Sequence, residues 1–526
     1  MKKYLFIALA AMGFAACESA QENATPGQNG ELEQSYVAIT LAADDLNTRA
    51  NDGKYEAGTV EERAVKSAYV FFFEDGVAFP VAFDGTTSTN AGPKNYLKVE
   101  LPDNGNQMPN VSDVKDAVLV LQNYKGEYPN QMVAVLNWTP SASVGLYSLA
   151  DLKNAVSALG SDANGYVMSN AVYANKKNEV VDAVTLTIEN IHKDADNALA
   201  NPVKIYVERV AAKVVFTSKN EGKFEVGTVN DTVDNTETVV YAKIKGFELF
   251  NDYENSYLIK RINPAWEVGF NWNDADWHRS YWATSLAEEF PANTFAWYTD
   301  DTALNAHIYC GENTRAWTAD NDLRTKVIVK AELVKEDNST VEVVNWYGKD
   351  YIGEGNLLKV VANTLKNTYF ASTDGASFTG LTPADIKCVD RLVTDSKAYE
   401  VYFQLSDAGA AKTWYKYSAN NYEAVSVENL NLALGAVQPA LVYKNGMTYY
   451  WLDIKHLGAT GSTAEYGIVR NHVYKVNISG ITGYGTPVYN GNTAFITPEK
   501  PQEVKSYVSA QINILSWRVV ENNYDI

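Results

Sequence analysis

The chain begins and ends with segments in which apolar and polar residues alternate, as in a β-strand that buries one face. Near the N-terminus, Val37, Ile39 and Leu41 fall on one face of residues 36–41, and we predict a strand there. The polar residues 47–53 follow it and include Arg49. We expect an accessible loop at this place.

The C-terminal residues 504–520 alternate in the same way, but the parity of the apolar positions changes once. The apolar residues first occupy even-numbered positions: Val508, Ala510, Ile512 and Ile514. They then occupy odd-numbered positions: Leu515, Trp517 and Val519. A shift of one residue turns every side chain of a strand to the opposite face. The change therefore predicts a β-bulge or two consecutive strands.

Apolar runs and alternation predict many more strands and only one clear helix. The predicted strands cover residues 64–73, 77–83, 96–101, 118–122, 132–137, 185–188, 203–216, 239–249, 326–333, 341–346, 398–405, 441–452 and 473–478. Residues 146–159 have apolar residues at near-helical spacing and predict a short helix. The polar residues 218–238 are the best candidate for a hairpin excursion or a domain junction. We expect mostly antiparallel β-sandwich domains.

Length and charge narrow the class of protein. A chain of 526 residues is too long for one hydrophobic core and should divide into two or three domains. Its 34 tyrosines favour β structure. The net charge of -20 argues against binding of nucleic acid, which needs clustered Lys and Arg, and fits a solvated protein displayed on a surface.

The first sixteen residues have the pattern of a secretion signal: two lysines, then an apolar run too short to span a membrane. Residues 14–17 match a bacterial lipobox, with Phe14 where Leu is commoner, and Cys17 would carry the lipid. A plain signal peptidase site after Ala16 is the alternative. Residues 18–34 are polar and suit a flexible tether.

The residues that usually carry catalysis form no recognisable motif. The five histidines lie outside nucleophile and metal motifs. Asp274, Asp276 and His278 alternate and would point one way as metal ligands on a strand, but they lie in a polar stretch that reads as a loop. Neighbouring carboxylates such as Glu61 and Glu62 do not flank a bond as a glycosidase pair does, and we assign them to the solvated surface. We expect no enzyme, no metal and no cofactor.

Two further sets of residues leave alternatives open. Four tryptophans lie close together in the sequence: Trp266, Trp272, Trp277 and Trp282. They form a sugar-stacking platform, a surface that binds a partner, or a part of the core. With Cys17 processed, Cys310 and Cys388 remain, and their spacing does not decide whether they pair.

Five features occur in order along the chain: the lipobox, the first strand with its Arg49 loop, residues 207–214, residues 471–478, and the terminal strand 508–520. Together they resemble the fimbrillins of Bacteroidales, and most of all the shaft subunit of the short (minor) fimbriae. The resemblance implies two transthyretin-like antiparallel β-sandwich domains with a few short helices.

The resemblance also implies a maturation pathway. A signal peptide (1–16) directs export as an outer-membrane lipoprotein with palmitate on Cys17, and an Arg-specific protease cuts the Arg49–Ala50 bond. This removes the propeptide (17–49) with the first strand. Arg63 offers a rival cleavage site. The mature chain would contain an N-terminal domain (50–225) and a C-terminal domain (226–526).

The resemblance implies assembly by donor-strand exchange. A strand at about 504–520 of one subunit would fill the groove left in its neighbour, because unpaired strand edges are costly to leave open. Repetition of this head-to-tail contact gives an open filament that supports adhesion and biofilm formation. Its other partners would be the maturation protease and surface receptors. A major stalk subunit and an adaptor subunit both fit. The alternative is a surface glycan-binding lipoprotein that uses the Trp266 to Trp282 cluster.

Overall fold

The computed structural model describes residues 32–42, 58–83, 92–99, 115–124, 126–174, 179–263, 282–287, 290, 304–315, 323–390, 400–457, 460–462, 464–491, 507–515 and 520–522. This part of the chain is mainly β, with several antiparallel sheets and few helices, which confirms the predicted mainly β fold class. The division into two transthyretin-like domains stays a prediction. Within it, no helix combines the length and the apolar character needed to cross a membrane.

The strands of the first two-fifths of the chain are β1 (Leu32–Ala42), β2 (Ala68–Glu74), β3 (Val77–Ala78), β4 (Tyr96–Lys98), β5 (Lys115–Tyr124), β6 (Gln131–Leu136), β7 (Val156–Ala158), β8 (Gly160–Ser161), β9 (Gly165–Tyr166), β10 (Met168–Asn170), β11 (Tyr173–Ala174), β12 (Val180–Val181), β13 (Val184–Thr185) and β14 (Val203–Arg209). The α-helices of this part are α1 (Leu149–Asn154) and α2 (Ala195–Ala200), and a 3-10 helix covers Ile188–Asn190.

The strands of the remaining part are β15 (Ala212–Ser218), β16 (Lys223–Asp231), β17 (Thr236–Phe250), β18 (Asn255–Tyr257), β19 (His307–Cys310), β20 (Lys326–Val334), β21 (Val343–Trp346), β22 (Lys349–Ile352), β23 (Tyr369–Ala371), β24 (Thr379–Gly380), β25 (Ile386–Asp390), β26 (Glu400–Leu405), β27 (Trp414–Ser418), β28 (Asn421–Val425), β29 (Ala440–Val442), β30 (Met447–Asp453), β31 (Val473–Thr482), β32 (Thr486–Pro487), β33 (Tyr507–Leu515) and β34 (Val520–Asn522). The α-helices are α3 (Glu354–Leu365), α4 (Asp407–Ala410) and α5 (Val427–Gly435), and 3-10 helices cover Asn220–Gly222, Pro383–Asp385 and Lys444–Gly446.

The N-terminal sheet has the order β3-β2-β6-β10-β14-β1-β5, with β13 added to β6 and β4 added to β2. Successive side chains of a strand point to opposite faces, so β2 contributes to two cores. Phe72 packs with Val37 and Ile39 on one face, and Phe71 and Phe73 pack on the other. Both faces of this sheet are therefore buried.

The part of the chain after β14 contains a sandwich of two five-stranded sheets. Their orders are β19-β15-β31-β33-β34 and β16-β17-β20-β30-β32. Phe216 of β15 stacks on Phe247 of β17 with ring centroids 4.5 Å apart, and Tyr474 of β31 lies in the same core. Inward-facing residues of the two sheets thus interdigitate, as in other β-sandwiches.

A third unit lies between β20 and β30 in the sequence. Its sheets have the orders β22-β21-β29-β26-β25 and β24-β23-β27-β28. Leu357 and Val361 of α3 and Leu430 and Leu434 of α5 are buried in its core with Trp414. This unit therefore has a hydrophobic core of its own.

Two local outcomes differ from the sequence pattern, and a third agrees with it. The predicted strand 203–216 is two strands in different sheets, β14 and β15. The predicted helix 146–159 is helical only at α1, because residues 156–158 pair with β18 instead. Residues 218–238 contain β16 and the start of β17, which pair as an antiparallel hairpin, one of the two outcomes predicted for this stretch.

Candidate functional site

The first strand, β1, is an internal strand of the N-terminal sheet. It pairs antiparallel with β5 over ten residue pairs, from Leu32 opposite Tyr124 to Leu41 opposite Lys115. On its other edge it pairs in parallel with β14, where Ile39 lies opposite Val203. Among the described strands, β5 has β1 as its only strand partner. The position of β5 in the sheet therefore depends on β1.

Two of the apolar side chains that the alternation places on one face of β1, Val37 and Ile39, lie in the core. Val37 and Ile39 are fully buried and pack in the cluster that includes Leu119, Leu121 and Ile205. Fully burying one such side chain stabilises a fold by about 1.5 to 3 kcal/mol. A chain without β1 would expose the apolar faces that these two side chains cover.

Polar contacts hold the first half of β1 as well. The Tyr36 amide N–H donates to the His192 carbonyl at 2.7 Å, and the His192 N–H donates to the Tyr36 carbonyl at 2.9 Å. The Ser35 hydroxyl donates to Asn123 Oδ1 at 2.7 Å, and both side chains are buried. The backbone of Tyr36 is thus bonded to His192 on the edge of β1 that faces away from β5.

The C-terminal segment forms two consecutive strands, which is one of the two outcomes that its parity change predicts. In the described chain, β33 pairs antiparallel with β31, from Thr482 opposite Tyr507 to Val473 opposite Leu515. β34 then pairs back onto β33. The register shift lies in β31, between Ile478 and Gly480. The C-terminal strands therefore extend one edge of their own sandwich sheet.

The segment after β1 is fixed by Glu62, which is buried and not on the surface as its sequence context suggested. Its Oε1 lies 2.6 Å from Lys213 Nζ and accepts from the Tyr309 hydroxyl. Its Oε2 accepts from the Thr59 N–H at 2.7 Å, and its own N–H donates to Thr59 Oγ1. Burial by itself would raise the pKa of Glu62, but the hydrogen bonds from Lys213 and Tyr309 hold that pKa below its usual value.

Arg63, the rival cleavage residue, lies in this fixed turn. Its Nε donates to the Thr59 carbonyl at 3.1 Å. The next residue, Ala64, is buried, and its carbonyl accepts from Asn137 Nδ2 at 2.7 Å. A protease that cuts after Arg63 in the uncut chain would first have to break these contacts.

The two internal segments that carry the resemblance, 207–214 and 471–478, meet in space. β15 and β31 pair in parallel, with Lys213 opposite Val473. Arg209 Nη1 donates to Asn471 Oδ1 at 3.2 Å, and Arg209 Nε donates to the Glu62 carbonyl at 2.6 Å. The Asn471 N–H donates to the Ala211 carbonyl at 2.7 Å. These segments join the N-terminal sheet to the C-terminal sandwich.

A buried ionic cluster lies beside this junction. Arg470 Nη2 is 2.6 Å from Glu312 Oε2, and Lys260 Nζ is 3.2 Å from Glu208 Oε2. Arg470 also donates to the carbonyls of Tyr257 and Leu258. Burial raises the pKa of Glu208 above its ordinary value although Lys260 and Arg470 act to lower it.

Other candidate residues have structural positions. Trp282 is buried and packs against His456 with ring centroids 5.5 Å apart, so it belongs to the core and not to a sugar platform. Cys310 and Cys388 are buried, free thiols in separate cores. Among the described residues, no group of three His, Cys, Asp or Glu side chains is placed to hold a metal ion.

Several predicted site residues lie outside the described residues. They are Cys17, Arg49, Ala50, Trp266, Trp272, Asp274, Asp276, Trp277, His278, Trp517 and Val519. For Val508, Ala510, Ile512, Ile514 and Leu515, the structure describes the backbone of β33. Their role as a donor strand stays a prediction.

The part of the chain that matches a known family is the one that contains the C-terminal strands. Residues 441–523, which include β30 to β34, match the family described as major fimbrial subunit protein type IV, fimbrillin, C-terminal. These residues therefore resemble the C-terminal part of a fimbrillin. This confirms the resemblance to the Bacteroidales fimbrillins, without separating minor from major fimbriae. Fimbrial subunits are structural proteins, which confirms the prediction that the chain is not an enzyme.

Solved structures that resemble this chain include two fimbrial proteins of Porphyromonas gingivalis. A fimbrilin from strain W83 is 12% identical with a TM-score of 0.36, covering 93% of this chain and 98% of that one. The tip fimbrial protein Mfa3, with a C-terminal truncation, is 14% identical with a TM-score of 0.31, covering 92% of this chain and 100% of that one. Likeness at this level carries no functional argument. No curated protein matches the chain.

Proposed function

We propose that this fimbrillin-type chain is a stalk subunit of an adhesive cell-surface fimbria. It polymerises by donor-strand exchange after an Arg-specific protease removes β1. The subunit has no catalytic role, and its filament supports adhesion and biofilm formation. The observation that carries the proposal is the place of β1 between β5 and β14, in a chain whose end matches the fimbrillin C-terminal family.

Removal of β1 would open one strand position in the N-terminal sheet. The edges of β5 and β14 would lose their hydrogen-bond partners, and the pocket of Val37 and Ile39 would face water. Unpaired edges and exposed apolar grooves are costly and favour addition of a strand from another chain. A strand that fills the position would restore both the hydrogen bonds and the apolar contacts.

The C-terminal segment is a suitable replacement strand. β33 has nine residues against eleven in β1, and its sequence has the same alternation. It lies with β34 at the end of its own sheet, so it can leave without separating two other strands of that sheet. One segment cannot occupy both places. To act as a donor, β33 must therefore leave β31 of its own subunit and pair with β5 and β14 of the neighbouring subunit.

The contacts around Arg63 favour Arg49 as the cleavage residue. Cleavage after Arg63 would require local unfolding of the turn that Glu62 anchors to Lys213 and Tyr309. Cleavage after Arg49 leaves residues 58–64 and these contacts in the mature subunit. We therefore assign the maturation cut to the Arg49–Ala50 bond.

The proposal includes a lipidated precursor. Cys17 would carry the lipid and hold the precursor at the outer membrane, and cleavage after Arg49 would release the subunit for assembly. Intact mass and N-terminal sequencing of protein recovered from cells test this step directly. A lipidated Cys17 in the assembled filament would contradict it.

A pair of matched arginine variants tests the cleavage site. Arg49→Ala should block maturation and leave a monomer, while Arg63→Ala should still give polymer, seen as a heat-sensitive ladder on an unheated gel. Polymer from Arg49→Ala together with monomer from Arg63→Ala would move the cut to Arg63. Polymer from the double variant would reject Arg-specific maturation.

A deletion tests the donor strand separately. A chain without residues 504–526 should fold, be cut by the protease and remain a monomer. Mixed with intact subunits, it should be unable to donate a strand to a neighbouring subunit. Fibres formed by this deletion variant alone would show that another segment is the donor.

The alternative function, a glycan-binding platform of tryptophans, receives no support, because its member Trp282 is buried.

A further inference from the structure

A cleft in the third unit is separate from the proposed polymerisation strands. It has a volume of about 410 Å³ and lies between the exposed side of α3 and the segment that contains β23 and β24. Clefts of about 300 to 1,000 Å³ are typical of small-molecule sites. Its lining residues are Lys359, Ala362, Asn363, Lys366, Asn367, Phe370, Gly380, Leu381, Thr382 and Pro383.

The polar wall of the cleft comes from one side of α3 and its C-terminal end. Lys359, Asn363 and Lys366 are spaced by four and three residues, which places them on one helix face. Asn367 follows at the end of the helix. The core residues Leu357 and Val361 lie on the other side of α3. The polar side chains of this wall are therefore exposed, while the helix that carries them is fixed by packing.

Most of these polar groups have no side-chain partner among the described residues. Lys366 makes no ion pair among the described residues, and the amides of Asn363 and Asn367 make no side-chain hydrogen bonds there. Lys359 is shared, since it lies 2.8 Å from Asn356 Oδ1 and 3.5 Å from Asp234 Oδ1. Lys366 and the two exposed amides are therefore available to a ligand.

The charge of the cleft is opposite to that of the protein. The chain has a net charge of -20, yet two lysines and no carboxylate residue line this cleft. A cleft with ammonium, amide and hydroxyl groups and no carboxylate suits an anion that also carries hydroxyls.

The opposite wall supplies an aromatic surface. Phe370 is partly exposed, and it contacts Tyr422 and Tyr417 with ring centroids 5.2 and 6.1 Å away. Gly380 lies beside it, where a Cβ atom would be 2.5 Å from the Lys366 carbonyl oxygen. Only glycine allows β24 to approach α3 this closely, so the two walls have a fixed separation.

We propose that this cleft binds an acidic saccharide. A sugar ring would pack against Phe370, its carboxylate or sulfate would pair with Lys366 and Lys359, and its hydroxyls would bond to Asn363 and Asn367. Carboxylate and sulfate sugars share this chemistry. Since the cleft does not include β1, β5, β14 or β33, each subunit of a filament would offer it independently of strand exchange.

Binding by the full-length chain, measured by calorimetry, tests the proposal. The probes are 3′-sialyllactose for a carboxylate, a heparin hexasaccharide for a sulfate, and lactose as the uncharged reference. Lys366→Gln and Asn363→Ala change exposed side chains of the cleft. Lys349→Gln is the matched control, because Lys349 is exposed in the same unit and does not line the cleft. Phe370→Leu removes the ring and keeps an apolar side chain.

We expect at least one acidic probe to bind and lactose to bind more weakly. Lys366→Gln should weaken the acidic probe by about fivefold or more, the effect of one charge-assisted hydrogen bond, and added salt should weaken it too. The Lys349→Gln variant should bind like the unaltered chain. Which acidic probe binds identifies the acid group.

Three results would overturn the proposal. The first is no binding of either acidic probe at about 10 mM, a concentration that detects Kd values near 1 mM. The second is equal binding of lactose. The third is binding that Lys366→Gln, Asn363→Ala and Phe370→Leu all leave unchanged, which would place the saccharide elsewhere. Thermal melts of the variants separate lost binding from lost folding.

Discussion

Lys213 Nζ lies 2.6 Å from Glu62 Oε1 and joins the segment after β1 to the first strand of the C-terminal sandwich. The side chain of Glu62 is 1% exposed and that of Lys213 is 12% exposed. Since cleavage at Arg49 would leave Glu62 in the mature chain, this ion pair would hold the new N-terminal segment in place after maturation.

Glu62→Gln should therefore destabilise the folded chain. The amide keeps the shape of the side chain but leaves the ammonium of Lys213 without its counter-charge, at a cost of about 2 to 3 kcal/mol. Urea denaturation measures the loss. Glu61→Gln is the matched control, since Glu61 is exposed and its substitution should leave the transition unchanged. Equal effects of the two substitutions would reject the role of the ion pair.

The same pair predicts a pH dependence. The pKa of Glu62 is lower in the folded chain than in the unfolded chain, so its stabilising effect is complete above the unfolded value and is lost as pH falls through the folded value. The difference in unfolding free energy between the unaltered chain and Glu62→Gln should shrink on acidification below about pH 4. A difference that is constant from neutral to acid pH would contradict this.

Arg470 should be among the most sensitive positions of the junction. Arg470→Met removes the partner of Glu312 and the donors to the Tyr257 and Leu258 carbonyls, which leaves a buried carboxylate without compensation. We expect a loss of about 3 to 5 kcal/mol in unfolding free energy. The double variant Arg470→Met with Glu312→Leu should recover part of it in a denaturation experiment. A double variant no more stable than Arg470→Met would show that the ion pair is not the cause.

The strands at both ends illustrate what local pattern predicts well. Val37 and Ile39 are buried because alternation alone fixes which face of a strand meets the core. The parity change near Leu515 likewise marks the end of β33 before β34. These features depend on near neighbours in the sequence.

Features that depend on distant partners could not be predicted in this way. Residues 156–158 follow the helical period of α1 but pair with β18, about a hundred residues later in the chain. The sequence around Glu62 does not indicate that Glu62 pairs with Lys213. It also does not distinguish the buried Glu62 from its exposed neighbour Glu61. The parallel pairing of β1 with β14 and of β15 with β31 also joins residues that are far apart. For the same reason, the cleft between α3 and β24 has no local sequence signal.

Asp252 provides a pH test of the opposite sign. Burial raises its pKa to about 6 in the folded chain, so this carboxyl starts to cost stability above its unfolded value near 4, and the cost is complete above about pH 6. Asp252→Asn should stabilise the chain at pH 7.5 by on the order of 1 to 3 kcal/mol, and the gain should vanish as pH falls towards the unfolded value near 4. Thermal melts at both pH values measure it.

Asp337 is the matched control for that experiment. Hydrogen bonds from Ser339 lower its pKa, so Asp337→Asn should not stabilise the chain at neutral pH. A gain from Asp252→Asn that persists unchanged at pH 4 would show that its cause is not the buried charge.

Cys310 and Cys388 should be inert in the folded chain. Burial raises the pKa of both thiols, and the thiolate is the reactive form. A maleimide should label neither thiol until denaturant unfolds the core that contains it, and mass spectrometry of Cys310→Ser and Cys388→Ser assigns each event. Fast labelling without denaturant, or a disulfide between the two, would contradict the structure.

The strand position of β1 should accept a peptide once it is emptied. In a chain that lacks residues 504–526 and has been cut after Arg49, a synthetic peptide of residues 32–42 should bind and raise the melting temperature, because it restores the partners of β5 and β14. At about 100 times its Kd the peptide would stabilise the chain by about 2.7 kcal/mol. A peptide with Val37→Asp and Ile39→Asp is the matched control, since it would bring carboxylates into the pocket next to Leu119. If both peptides stabilise the chain equally, or if neither stabilises it, removal of β1 does not leave an apolar groove that binds a strand with apolar residues at these positions.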